Sequence, residues 1–273
     1  MTEGSKGSAK VYLITGAASG LGRQLAVDLA TLGRRLALFD RNQEQLQETV
    51  ALCEQSGGEA IGVSGDVTVP ADCGRFIEEA VRRFGRIDAL LANAGISMWA
   101  RFEDVTDVSI FARLVEVNYL GVVYCAHFAL PYIKKTKGSL VGISSIQGKI
   151  PVPFHTGYVA SKHAVQGFFT CLRAELRGSG VHILLVLPHW LTGTNLRSNA
   201  YGKDGQVVAG SKSRHSSESV TVDACSKAII EALDHRREEL VIPWKLRLLP
   251  WLNLVSPRLV DYLVGRKVED QHS

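Results

Sequence analysis

The sequence of 273 residues predicts an α/β fold, a doubly wound parallel sheet in a single domain. Three observations carry this. From Val11 onward, short aliphatic and β-branched runs alternate with longer segments of helical period, the pattern of parallel strands joined by crossover helices. The runs are nearly continuous in Val, Ile, Leu and Ala, as strands covered on both faces must be. A glycine-rich turn follows the first run and opens the first helical segment.

Taken in order, the strands are predicted at Val11–Ile14, Leu36–Phe39, Ala60–Ser64, Ala89–Leu91, Leu140–Ile143, Ile183–Leu187 and Leu240–Ile242. The helices between them are predicted at Leu21–Leu32, Gln43–Gln55, Ala71–Phe84, Val108–Lys134 and Gly157–Gly178, with a further helix before the last strand. Residues 194–218 turn polar, crowded with Asn, Gly, Lys and Ser, and are expected to be a mobile excursion beside the substrate. The domain is expected to span residues 10–242, with a flexible leader at 1–9 and an amphipathic extension at 243–273.

Composition excludes several classes. Hydrophobic residues make up 46% and charged residues 21%, ordinary for a globular chain with a sizeable core. The net charge of +4 is too mild an excess to argue for nucleic acid. Five scattered cysteines form neither CxxC nor a Cys/His metal cluster, so no metal site and a reducing, cytoplasmic setting are expected. The opening MTEGSKGSAK lacks the apolar core of a signal peptide, and no uncharged apolar run reaches the roughly 18 residues that span a bilayer.

The first turn reads TGAASGLG, which places Gly16, Ser19, Gly20, Leu21 and Gly22 between a strand and a helix. Glycines there let peptide N–H groups and the helix N-terminus approach a diphosphate. The spacing TGxxxGxG resembles the short-chain dehydrogenase/reductase family, a likeness that runs from Lys10 to Ile242. It implies a Rossmann-type domain, a nicotinamide cofactor and hydride exchange between an alcohol and a carbonyl. It also implies an adenine contact at Asp66 and Val67 and a cofactor-lining turn at Asn93, Ala94 and Gly95. Asp40 closes the second strand eighteen positions after Gly22, the distance at which a carboxylate grips ribose hydroxyls and repels a 2′-phosphate, which favours NAD. Two alternatives stay open: Asp40 or Asn42 could cap the next helix, and Arg41 could accommodate the 2′-phosphate of NADP.

Tyr158 and Lys162 form YxxxK, an i,i+4 pair on one helix face. A free phenol titrates near 10, and a nearby ammonium favours its phenolate, so Lys162 is the partner that would let Tyr158 exchange a proton. By the resemblance, Ser145, thirteen positions before Tyr158, orients the substrate oxygen, with Ser144 as competitor. Asn118, in VNYLG, matches the asparagine that the family uses to hold a water beside the lysine. Past the sixth strand the text is PHWLTGTNL: the resemblance implies cofactor contacts at Pro188, Leu191 and Thr194, while His189 stands where the family has glycine, as a second acid/base, as a substrate contact or, preferred, as an accommodated side chain.

Substrate contacts are expected from Trp99, Gln147, Ile150, Phe154, His155 and Trp190, mostly apolar, which favours a hydrophobic substrate. The stretch from Pro243 to Lys267 combines two tryptophans and many leucines with Lys245, Arg247, Arg258, Arg266 and Lys267 against Asp261 alone. It suits a membrane surface or packing against protein; two prolines interrupt it, and packing is preferred. The resemblance also implies a homodimer or homotetramer paired through the helices at Val108–Lys134 and Gly157–Gly178. The rival functions are a non-catalytic dinucleotide-binding regulator and a membrane-surface interaction protein.

Overall fold

The computed structural model describes residues 9–208 and 219–269. The leader before Ala9 and the last ten residues of the polar excursion, 209–218, lie outside the described residues.

Seven parallel strands form one sheet: β1 Val11–Thr15, β2 Arg35–Asp40, β3 Glu59–Ser64, β4 Ala89–Ala92, β5 Ser139–Ile143, β6 His182–Pro188 and, later in the chain, β9 Glu239–Ile242. Their order is β3-β2-β1-β4-β5-β6-β9, so the winding reverses between β1 and β4. Doubly wound sheets bind ligands in the crevice outside the carboxyl ends of the strands at this reversal. Alternate residues along each strand feed two separate cores, as a period of two requires. Leu13, Phe39, Leu90 and Leu140 face α3 Pro70–Phe84, α5 Gly121–Thr136 and α6 Thr156–Glu175. Ile14, Leu38, Leu91 and Val141 face α1 Gly20–Thr31, α2 Gln43–Gln55 and α7 Val222–Asp234.

The helix expected at Val108–Lys134 is built differently. It consists of α4 Ser109–Val115, a π turn at Glu116–Leu120, and α5. By length and composition this helix is long and apolar enough to cross a membrane. In the fold its buried residues Val122, Ala126, Ala129 and Ile133 belong to the core against the sheet.

After β6 a two-stranded ladder that the sequence did not suggest pairs β7 Leu191–Thr192 with β8 Val220–Thr221. Thr221 Oγ1 accepts from Ala224 N (3.1 Å) and so caps α7. The excursion expected to be mobile is fastened along its first half. Tyr201 N donates to Ser97 O (2.9 Å), Trp99 N to Tyr201 O (2.8 Å), and Thr106 N to Lys203 O (2.8 Å). Beyond β9 come a 3₁₀ turn at Trp244–Leu248, α8 Leu249–Val255 and α9 Pro257–Glu269. Pro250 and Pro257, read from the sequence as interruptions, instead sit in the first turns of α8 and α9, where proline's missing N–H costs nothing.

Candidate active site

The carboxyl ends of β1, β4, β5 and β6 converge on one corner, and the residues singled out from the sequence collect there. Gly16 holds φ +66°, and a Cβ on Gly22 would lie 2.1 Å from the Gly16 carbonyl oxygen, so only a glycine lets α1 start this close to β1. Ser19 is the N-cap of α1 but makes no side-chain hydrogen bond to it. The first-turn N–H groups of Gly20, Leu21 and Gly22, which have no partner within the helix, can therefore receive an anion. Thr194 stands over this turn, its Cβ 3.4 Å from where a Gly20 side chain would begin. Its hydroxyl donates to Leu191 O (3.5 Å), and Leu191 itself is half-buried against the core.

Asn93 ties the corner together. Its Nδ2 donates to the carbonyls of Thr15 (3.0 Å) and Gly16 (3.2 Å), while Thr15 Oγ1 accepts from the N–H groups of Asn93 and Ala94, both at 3.0 Å. Thr15, which the sequence reading passed over, is thus the anchor of the turn. Asp40 Oδ2 accepts from Ala18 N (3.0 Å) and Oδ1 from Asn42 N (3.0 Å), bracing the glycine turn from the end of β2. The cap of α2 is Asn42, whose Oδ1 accepts from Gln45 N (3.1 Å); that alternative for Asp40 is closed. Arg41 is exposed. Asp66 Oδ1 accepts from the backbone and hydroxyl of Thr68, both at 2.9 Å, and the side chain of Val67 is buried in the core against Gly121. A dinucleotide fits this set: a cradle of N–H donors for its diphosphate, and a carboxylate beside it for a ribose.

Tyr158, Lys162 and Ser145 are all buried at the same end of the sheet. Lys162 Nζ lies 5.7 Å from the centroid of the Tyr158 ring and donates to Ile143 O (2.9 Å). Burial pushes the Tyr158 phenol up to about 12, partly opposed by its hydrogen bond with Ser145. Burial also pulls the Lys162 ammonium down to about 8. In the polypeptide alone, then, burial outweighs any lowering of the phenol by the ammonium. Ser145 Oγ donates to Pro188 O (3.3 Å) and accepts from Gln147 N (3.2 Å). Ser144, the competing serine, is committed elsewhere, donating to Lys162 O (3.0 Å).

Asn118 joins two elements. Its Oδ1 accepts from Ile96 N (2.8 Å), and Nδ2 donates to Ile96 O (3.0 Å) and Ser161 Oγ (2.9 Å), which in turn donates to Tyr158 O (2.8 Å). Both amide donors are spent on protein, and the side chain fastens the loop after β4 to α6. Gly95 packs against the same corner, where a Cβ would sit 3.1 Å from Asn118 Oδ1 and 3.6 Å from Lys162 Nζ.

The wall above Tyr158 is aromatic. His155 meets Trp99, Trp190 and Tyr158 edge-on, with ring centroids 4.8, 5.7 and 6.3 Å away. Its Nδ1 lies 2.8 Å from Pro153 O, which can only accept, so this nitrogen carries the hydrogen. Burial, helped by the Arg197 charge, holds His155 down to about 4, which keeps it neutral. Phe154 stacks on Trp99 at 5.6 Å and holds φ +66°, an unusual backbone for a bulky residue, pinned by Ala100 N donating to Phe154 O (3.0 Å). Arg197 was not anticipated. Its guanidinium lies over both Trp99 and Trp190, 4.9 and 4.6 Å from the ring centroids, and nothing marks it within its polar segment of sequence. Gln147 is buried with its Oε1 unpartnered. Ile150 packs deeper, in a cluster shared with Leu246 and Val260 of the tail. His189 N extends the β6–β9 pairing by donating to Ile242 O (2.8 Å), and its ring meets Trp190 edge-on at 6.0 Å.

Among the described residues no group of three His, Cys, Asp or Glu could hold a metal ion. A concavity of about 580 Å³ lies on the flank of α6 that carries Val159, Ala160 and His163, beside Asp261 and Val264 of α9, and not over Tyr158.

Residues 10–204 match the short chain dehydrogenase family. The 11-beta-hydroxysteroid dehydrogenase-like 4A of Arabidopsis thaliana is 34% identical over 262 residues, covering 94% of this chain and 84% of that protein. Among solved structures, a short chain dehydrogenase/reductase from Burkholderia phymatum in complex with NAD superposes with a TM-score of 0.79 at 26% identity, covering 92% of this chain and 95% of that one. An alcohol dehydrogenase from Thermococcus sibiricus complexed with 5-hydroxy-NADP gives 0.72, also at 26% identity, over 85% and 95% of the two chains. This chain is therefore a member of the short-chain dehydrogenase/reductase family of oxidoreductases.

Proposed function

We propose that the protein interconverts an apolar secondary alcohol and its ketone, with Tyr158 as the general acid/base and NAD(H) as the preferred cofactor. The observation that carries this reading is the buried cluster of Tyr158, Ser145 and Lys162 at the carboxyl ends of β5 and β6. Gly16, Gly20, Leu21, Gly22 and Thr194 would hold the diphosphate. A nicotinamide bound there supplies or receives the hydride.

The protein's own groups handle the proton. With the phenol pushed up to about 12, Tyr158 is protonated at neutral pH and ready to give its hydrogen to a carbonyl oxygen. Ser145 Oγ, hydrogen-bonded to that phenol, orients the same oxygen once its single hydrogen turns from Pro188 O. Lys162, pulled down to about 8, is mostly charged at neutral pH and steadies the tyrosinate left behind. For the reverse reaction the tyrosinate must be regenerated, and the ammonium is the group that favours it.

Substrate class follows from the wall of Trp99, Phe154, His155 and Trp190, with Gln147 as its polar anchor. The hydroxysteroid dehydrogenase-like name of the Arabidopsis relative points the same way, toward a steroid-sized alcohol. Asp40 at the end of β2 supports NAD(H), since a carboxylate there repels a 2′-phosphate. Tighter binding of NADPH than NADH in parallel titrations would reverse that preference. The family likeness further leads us to propose a homo-oligomer paired through α4–α5 and α6, and the five free cysteines a reducing, cytoplasmic setting.

The decisive experiment is Tyr158→Phe in a screen of steroids, retinoids, long-chain alcohols and sugars followed by NADH absorbance. The variant is expected to bind NADH like wild type and lose on the order of 10² to 10⁴ in turnover, the worth of a positioned proton donor. Near-normal turnover in Tyr158→Phe would remove the assignment.

A further inference from the structure

Half of the exposed large apolar side chains among the described residues, eight of sixteen, fall within residues 244–263. The inner side of this tail is well packed: Leu246 and Val260 are buried in a cluster with Ile150 and Phe154. The outer side is not the polar surface that a water-facing helix carries. Trp244 is 77% exposed, Trp251 69%, Leu254 75% and Val255 82%, with Tyr262 at 62%. Arg247, Arg258 and Arg266 stand exposed among them, and Asp261 is the one acid between residues 243 and 266.

Apolar and aromatic side chains interleaved with arginines are the composition of segments that lie in a bilayer interface. Aliphatic tips enter the acyl boundary, indole and phenol rings sit at headgroup depth, and guanidinium groups meet lipid phosphate. Protein interfaces also favour Trp, Tyr and Arg; what points to lipid here is charge of one sign, three exposed arginines against Asp261 alone, which would repel a second copy of the same face and attract an anionic surface. Neither helix can cross a membrane, at 7 and 13 residues against the roughly 20 that a span requires. We infer that the outer face of residues 244–266 docks on an anionic lipid surface, with α8 and α9 lying in its plane. This surface is separate from the proton-transfer cluster, and the inference does not depend on the proposed chemistry.

The test is co-sedimentation of the full chain with phosphatidylcholine vesicles, with and without phosphatidylserine. Wild type is expected to bind the anionic vesicles more strongly than the neutral ones and to be released by salt. Arg247→Gln with Arg258→Gln should weaken partition onto anionic vesicles roughly 25-fold, about fivefold per charge, and leave neutral vesicles unaffected. Trp251→Asp with Leu254→Asp should abolish binding to both. All four side chains are exposed, so the thermal midpoint should stay where it is. Failure of wild type to bind either vesicle overturns the inference. If wild type binds neither vesicle and the mass by light scattering falls in Trp251→Asp/Leu254→Asp, the face belongs to a second copy of the chain.

Discussion

Protonating His155 should unfold the protein's aromatic wall, and the size of the effect follows from the burial of the ring. An exposed histidine titrates near 6.5, and in the fold His155 is held down to about 4. Between these values the unfolded chain binds the proton and the folded one does not. The contribution to stability is therefore complete above pH 6.5, declines as pH falls, and is exhausted below about 4. At 1.36 kcal/mol per pKa unit the whole span is worth about 3 kcal/mol, and the window from pH 7 to pH 5 about 2 kcal/mol. The groups around the ring give an imidazolium no anion: Trp99, Trp190 and Tyr158 are neutral and Arg197 is positive. His155→Gln keeps a hydrogen-bond donor for Pro153 O but cannot titrate. Urea unfolding of both proteins at pH 7 and pH 5 should show wild type losing about 2 kcal/mol more than the variant, other titrations cancelling in the difference. Parallel pH dependences would refute the reasoning, because they would mean that the ring accepts its proton without opening the wall.

Other expectations are more local. Gly22→Ala places a methyl 2.1 Å from Gly16 O, so α1 must retreat from the turn; NADH affinity should fall at least about tenfold by fluorescence titration, although alanine favours helix by roughly 1 kcal/mol. Asn118→Leu keeps the volume but leaves the N–H and C=O of Ile96 unpaired, at a cost of roughly 2–4 kcal/mol in chemical unfolding. Phe154→Gly relieves about 1 kcal/mol of backbone strain and forfeits roughly 3–5 kcal/mol of ring burial, so thermal stability should drop; a rise would mean that the strain outweighs the packing.

Much of this molecule is legible in its sequence, and the illegible parts share a cause. The seven strands of the main sheet are recoverable because both faces are buried, which leaves Val11–Thr15 or His182–Pro188 almost purely apolar. The glycine turn is readable because close approach of two backbones excludes every other residue. The π turn at Asn118 was not, since one extra residue in a turn barely disturbs an apolar period. Arg197 was missed because its partners, Trp99 and Trp190, are brought to it only by tertiary folding. Asn118 was singled out from its motif, but its bonds to Ile96 and Ser161 were not, for no spacing tells which groups a side chain meets after folding. The prolines of the tail were taken as stops because proline both ends and begins helices, and only the packing of Leu246 and Val260 decides which.

The π turn also makes fold and site separable by a single codon. Ile110, Leu114, Asn118 and Val122 face inward at strict steps of four, a repeat that drifts about 40° per step in an ideal α-helix. The wider turn absorbs that drift where Asn118 has to reach Ile96. Deleting one residue between Glu116 and Leu120 would restore an unbroken helix, with Ile110 and Leu114 at one end and Ala126 and Ile133 at the other still meeting their cores. What it would turn away is Asn118, and with it the strap that holds the loop after β4 against the helix of Tyr158.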